Sequence, residues 1–88
     1  MTKKDEIINN LIEILDTIIE EEGVPRNIKR SVTQAKELIS EKDEKKVAVK
    51  AATAINLLEE LVNDPNTPIH VRTLILQAIS QLELLTKI

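Results

Sequence analysis

Asn63-Asp64-Pro65-Asn66-Thr67-Pro68 decides the fold. Pro65 ends whatever helix precedes it, Thr67 is placed as an N-cap oxygen, and Pro68 is set for the first position of a new helix. Upstream, Val47, Ala48, Ala51, Ala52, Ile55, Leu58, Leu61 and Val62 recur at three- and four-residue steps, which is one face of a helix. Downstream, Val71, Leu74, Ile75, Ala78, Leu82 and Leu85 make a second stripe, and Ile69, Leu76, Ile79, Leu84 and Ile88 widen it. The widening has two readings. Either this last helix is the most buried in the molecule, or part of its apolar surface is held for a partner chain.

A second corner lies nearer the start. Ile7, Ile8, Leu11, Ile12, Ile14, Leu15, Ile18 and Ile19 form a broad apolar face, opposite Glu6, Asn9, Asn10, Glu13, Asp16, Thr17 and Glu20. Gly23, the only glycine, stands where a helix needs a left-handed stop, and Pro25 follows as an opening residue. Ile28, Val32, Ala35, Leu38 and Ile39 then make another stripe. Ser40-Glu41-Lys42-Asp43-Glu44-Lys45-Lys46 interrupts it, with Asp43 as a cap and Glu44 set against the helix dipole. Because no Gly or Pro breaks this stretch, a single helix from 26 to 63 is the competing reading. The hairpin is preferred, since so long a lone helix leaves its apolar face uncovered. The expected helices run over about 3–22, 25–40, 44–63 and 68–87 of one domain spanning residues 1–88.

The two halves align at a spacing of 43 residues. Leu15 meets Leu58, Ile18 meets Leu61, Pro25 meets Pro68, Ile28 meets Val71, Lys29 meets Arg72 and Ala35 meets Ala78. A period of this size belongs to helical-hairpin repeats of the HEAT type. Two units fall short of an open solenoid, so closure into a compact antiparallel four-helix bundle is expected, or dimerisation. The fold class is all-α. Glu21–Lys29 and Asp64–Arg72 read as pairs bracing the two turns, because an uncompensated cation one turn into a helix opposes the dipole.

Composition limits the chemistry. The chain has 88 residues, a net charge of −3, one histidine, no cysteine and no aromatic residue. Disulfides, thiolate zinc sites, thiol nucleophiles and aromatic base-stacking platforms are thereby excluded. No apolar run approaches the ~20 residues of a membrane span. Met1-Thr2-Lys3-Lys4-Asp5-Glu6 turns acidic at once, which predicts no signal peptide. His70 has no Glu-x-x-His or His-x-x-x-His companion, and one glycine cannot build a phosphate loop. His70 therefore reads as a turn-bracing residue bonded to turn carbonyls or Asn66. Adjacent carboxylates such as Glu20-Glu21-Glu22 diverge around a helix and form a solvated end. The expectation is no enzyme, no cofactor and no metal.

Charge alternates along the chain: residues 1–22 are acidic and residues 23–42 basic, so adjacent helices are complementary. Arg26, Lys29, Arg30 and Lys36 form a stripe beside a helix start that can face an anion or RNA. The acidic total and missing aromatics weigh against that use.

Val24-Pro25-Arg26-Asn27-Ile28-Lys29-Arg30, Ala51-Ala52-Thr53-Ala54-Ile55 and Asn63-Asp64-Pro65-Asn66-Thr67-Pro68-Ile69-His70-Val71-Arg72-Thr73 together resemble an archaeal family known as uncharacterised protein family 0147. The resemblance spans essentially the whole chain, including Ser80-x-Leu82-Glu83. Thr67 and Leu76 depart from it, since members commonly carry methionine and tryptophan there. The resemblance implies a compact four-helix fold, an archaeal cytoplasmic setting and no established activity. It also implies motif positions at Pro25, Arg26, Asn27, Asp64, Pro65, Asn66, Pro68, His70 and Arg72. Turn geometry accounts for the prolines and Asp64, and leaves Arg26, Asn27, Asn66 and His70 over. The expected function is a non-enzymatic helical interaction module that binds protein and self-associates. Its surface is either the turn end (Arg26, Asn27, Lys29, Arg30, Asn66, His70, Arg72) or the apolar strip Leu76, Ile79 and Leu84. The alternative is RNA or ribosome association through Arg26, Lys29, Arg30 and Arg72.

Overall fold

Four apolar stripes close on one another. The computed structural model describes residues 2–42 and 45–88, which form α1 (Lys3–Glu20), α2 (Arg26–Ser40), α3 (Val47–Val62) and α4 (Ile69–Leu85). Each helix touches two neighbours, α1 on α2, α2 on α3, α3 on α4 and α4 on α1, so the antiparallel ring leaves no stripe open. The core is aliphatic, with Leu11, Leu15, Ile18, Ile28, Leu58, Ile75, Leu82 and Leu85 fully enclosed. The radius of gyration of 12.3 Å is that of a fully folded chain of this length. No helix among the described residues is long and apolar enough to cross a membrane.

The break between Ser40 and Val47 disposes of the single helix from 26 to 63. The Asp43 cap and the Glu44 dipole contact lie outside the described residues. α3 itself starts later than the expected position 44, after Lys46, which gives no side-chain cap. Pro25 and Pro68 both stand one residue before their helices rather than inside them. Their backbones nearly coincide, at φ −54°, ψ 145° and φ −57°, ψ 147°, as a duplicated corner requires. α1 opens on a feature that the apolar period does not report: the Thr2 hydroxyl accepts from the Asp5 N–H, and the Asp5 carboxylate accepts from the Thr2 N–H. This capping box satisfies donors that a helix start leaves open.

α4 is divided between both of its readings. It buries six residues, including Ile79, which leaves the proposed outer strip for the core. Ile69, Leu76 and Leu84 stay exposed. Charge complementarity appears between α1 and α2, where Lys36 Nζ meets Asp16 Oδ1 at 2.6 Å. Half-exposed, that pair contributes about 0–1 kcal/mol, and it withdraws Lys36 from the basic stripe.

Candidate functional site at the turn end

In an up-down ring, both proline corners fall at one end. The corner from Glu21 to Pro25 and the corner from Asn63 to Pro68 adjoin there. His70 Nε2 lies 3.2 Å from Glu21 Oε1, a contact that joins the two repeat units. This replaces the expected Glu21–Lys29 pair and the expected bond from His70 to its own turn. His70 points back across the bundle end because α4 begins at Ile69, which places its side chain over the neighbouring corner.

The second corner is built on side-chain and backbone acceptors together. Asp64 Oδ1 accepts the Asn66 N–H at 2.8 Å, and the Asp64 carbonyl accepts the Thr67 N–H at 3.1 Å. Thr67 is not the helix cap. Its side chain is buried, at 3% exposure, and its hydroxyl donates to the Leu61 carbonyl at 2.7 Å. The hydroxyl thus closes the end of α3 instead of starting α4. The Asp64–Arg72 brace exists in altered form: Nη2 of Arg72 reaches the carbonyls of Asp64 and Thr67 at 3.4 and 3.5 Å. The Asp64 carboxylate is committed to the turn, so the guanidinium takes the carbonyls. Arg72 Nε is buried without a partner.

Arg26, Asn27, Arg30, Asn66 and His70 are all exposed on this end, and Lys29 and Arg72 are half-buried. The end offers two free-standing arginines, two amides and an imidazole–carboxylate pair. That is a set for recognising polar groups and carries no nucleophile with a base beside it. Among the described residues, no group of three His, Asp or Glu is placed to hold a metal.

One polar residue that sequence reasoning missed lies at the opposite end. Lys50 is only 5% exposed, and its ammonium donates to the Glu41 carbonyl that follows α2. It helps line a cleft of about 410 Å³ with Lys4, Ile8, Ile39 and Lys45. The repeat contains the signal: Lys50 is 43 residues from Ile7, a core position.

With this geometry in place, the likeness to known proteins is specific. Over 83 residues, the chain is 46% identical to a protein of Archaeoglobus fulgidus, covering 94% of this chain and 91% of that one. It is 45% identical over 84 residues to a protein of Pyrococcus furiosus, covering 94% and 89%. A crystal structure from Thermoplasma acidophilum superposes with a TM-score of 0.86 at 30% identity, covering 93% of this chain and 95% of that one. The model of the uncharacterised protein family UPF0147 matches residues 1–85, and the chain belongs to that family.

Proposed function

We propose that the protein is a non-enzymatic helical interaction module that binds another protein of the cytoplasm through the turn end. The observation that carries this reading is the Glu21–His70 contact. It bridges two corners into one surface on which Arg26, Asn27, Arg30, Asn66 and His70 are all exposed. Turn formation uses Pro25, Asp64, Thr67 and Pro68. It makes no use of the Arg26 guanidinium or the Asn27 amide. Polar side chains presented on a rigid frame suit a recognition surface.

Cross-linked capture from a lysate of the source cells tests this, with the full chain against an Arg26→Glu, Asn27→Ala, Asn66→Ala variant. A protein partner retained by the parent and lost by the variant is the expected result. Retention by both, or by neither, ends the reading. Arg26, Lys29 and Arg30 lie within one turn of α2, so the capture includes a nuclease arm. Nuclease-sensitive recovery that falls steeply with salt transfers the assignment to RNA.

A further inference from the structure

α4 and α2 hold equivalent places in the repeat, yet the faces they show to solvent differ in chemistry. Where α2 and the residue that follows it carry Arg26, Arg30, Thr33, Glu37 and Glu41, the equivalent positions on α4 are Ile69, Thr73, Leu76, Ser80 and Leu84. All five of the latter are exposed, with Ile69 at 79%, Leu76 at 50% and Leu84 at 44%. At 3.6 residues per turn they share an arc of about 80°. The exposed residues between the end aliphatics are mostly neutral: Thr73, Leu76, Gln77 and Ser80 carry no charge. This outward face is thus far less charged and more aliphatic than its α2 counterpart.

The pattern is also self-complementary. Ile69 and Leu84 are equidistant from the midpoint between Leu76 and Gln77, and so are Thr73 and Ser80. A second copy laid antiparallel about a two-fold axis at that midpoint sets Ile69 against Leu84 of the copy and Thr73 against its Ser80. Leu76 then meets its own equivalent. A shallow groove lined by Val62, Leu76 and Ile79, and edged by Glu59 and Asn63, lies beside that side chain. Charge agrees with the register. Arg72 and Glu83 lie within about 20° of each other around the helix. Residues on the same flank face each other in an antiparallel pair, so Arg72 of one copy, half-buried with Nη2 at the carbonyls of Asp64 and Thr67, shares a flank with Glu83 of the other. Parallel pairing leaves Arg72 about 16 Å along the axis from Glu83 of the copy, so the two are not brought together.

We infer that the outer face of α4 is an isologous interface through which two copies of this chain pair antiparallel, centred on Leu76. The inference deepens the interaction-module reading by naming a second copy as one partner, at a face distinct from Arg26, Asn27, Arg30 and Asn66 of the turn end. A single pair of helices about 25 Å long buries an area at the low end of specific interfaces, below about 1,200 Å². The dimer is therefore weak and concentration-dependent.

Sedimentation velocity of the full chain from roughly ten micromolar to one millimolar reads it. The expected result is a rise from one to two chain masses, abolished by Leu76→Glu with the helical circular dichroism unchanged. Register is read by cross-linking, because the chain has no native cysteine. Mixed Ile69→Cys and Leu84→Cys proteins form a disulfide-linked pair on mild oxidation, whereas Arg26→Cys on the sibling helix forms none. A monomer at every concentration overturns the inference. So does an Ile69→Cys protein that links only to itself, the signature of parallel pairing. Leu76→Glu leaves Arg26, Asn27 and Asn66 intact, so loss of self-association and loss of partner capture are scored separately.

Discussion

In the first corner, Gly23 turns the chain at φ +82°, and its neighbour Val24 is buried by apolar contact. In the second, Asn66 stands at the position equivalent to Gly23 and Thr67 at that of Val24. No residue there has a positive φ. The reversal is made by the Asp64 carboxylate and the Thr67 hydroxyl instead. The two corners nevertheless share a bond: the Glu21 N–H donates to the Ile18 carbonyl at 3.3 Å, and the Asp64 N–H to the Leu61 carbonyl at 3.2 Å. Equivalent endpoints are thus reached by backbone freedom in one unit and side-chain bonding in the other. The helices on either side set where the chain must turn, and the turn chemistry is free to differ.

The largest effects test whether the units are equal partners in one core. Leu15 and Leu58 are equivalent, and both are fully enclosed. Leu15→Ala and Leu58→Ala each cost about 3–5 kcal/mol, within about 1 kcal/mol of each other if the ring closes symmetrically. Urea denaturation checks this. A single transition in both variants is expected, because neither hairpin buries its stripe without the other. A second transition in either one means that a hairpin holds structure by itself.

The corners are separated by a pair of smaller substitutions. Gly23→Ala costs about 1–2 kcal/mol, since an added Cβ meets nothing within 4 Å and the penalty is that of the left-handed backbone alone. Asn66→Ala, at the equivalent position with negative φ, costs less than about 0.5 kcal/mol. Equal losses in thermal unfolding contradict the division of labour between glycine and side chain.

Thr67→Val makes the second corner resemble the first. The swap keeps the shape and removes the hydroxyl bonded to Leu61. The Leu61 carbonyl retains the Asp64 N–H, so it is not left unpaired, and the expected cost is about 0.5–1.5 kcal/mol. A loss above about 3 kcal/mol shows that the hydroxyl carries the corner by itself.

These contrasts explain what the residue pattern reveals. Burial follows period, so Leu15, Ile28, Leu58 and Ile75 are legible as core, and the paired prolines locate both corners. Hydrogen-bond direction does not follow period. Thr67 satisfies the composition of a cap equally well whether its hydroxyl faces forward to α4 or back to α3. Only the packing of the corner decides, and it turns the side chain inward. His70 is legible as a brace, but its partner belongs to the other unit, 49 residues away, and no local rule reaches that far. Lys50 escapes the sequence reading for the opposite reason. Its charge suggests solvent, while its register suggests core, and the ammonium reconciles the two by reaching the Glu41 carbonyl.

Helix starts provide the smallest test of the same contrast. α1 has the Thr2–Asp5 capping box, whereas α3, its repeat equivalent, opens on Lys46 without one. Hydrogen bonds from Thr2 hold the Asp5 carboxyl below its ordinary value of 3.8. The folded pKa is depressed, so the stabilisation is present above the unfolded value and fades as pH falls through the folded one. Acidification below about pH 4 should therefore loosen the first turn of α1 while the start of α3 is unchanged, as amide exchange at Lys4 to Ile7 and at Val49 to Ala51 reports. Asp5→Asn removes the pH dependence at the α1 start. If protection there is lost at neutral pH in the parent, or persists unchanged into acid, the Asp5 carboxylate is not what holds the helix start. Both ends then fray alike, and the asymmetry between the units is confined to the corners.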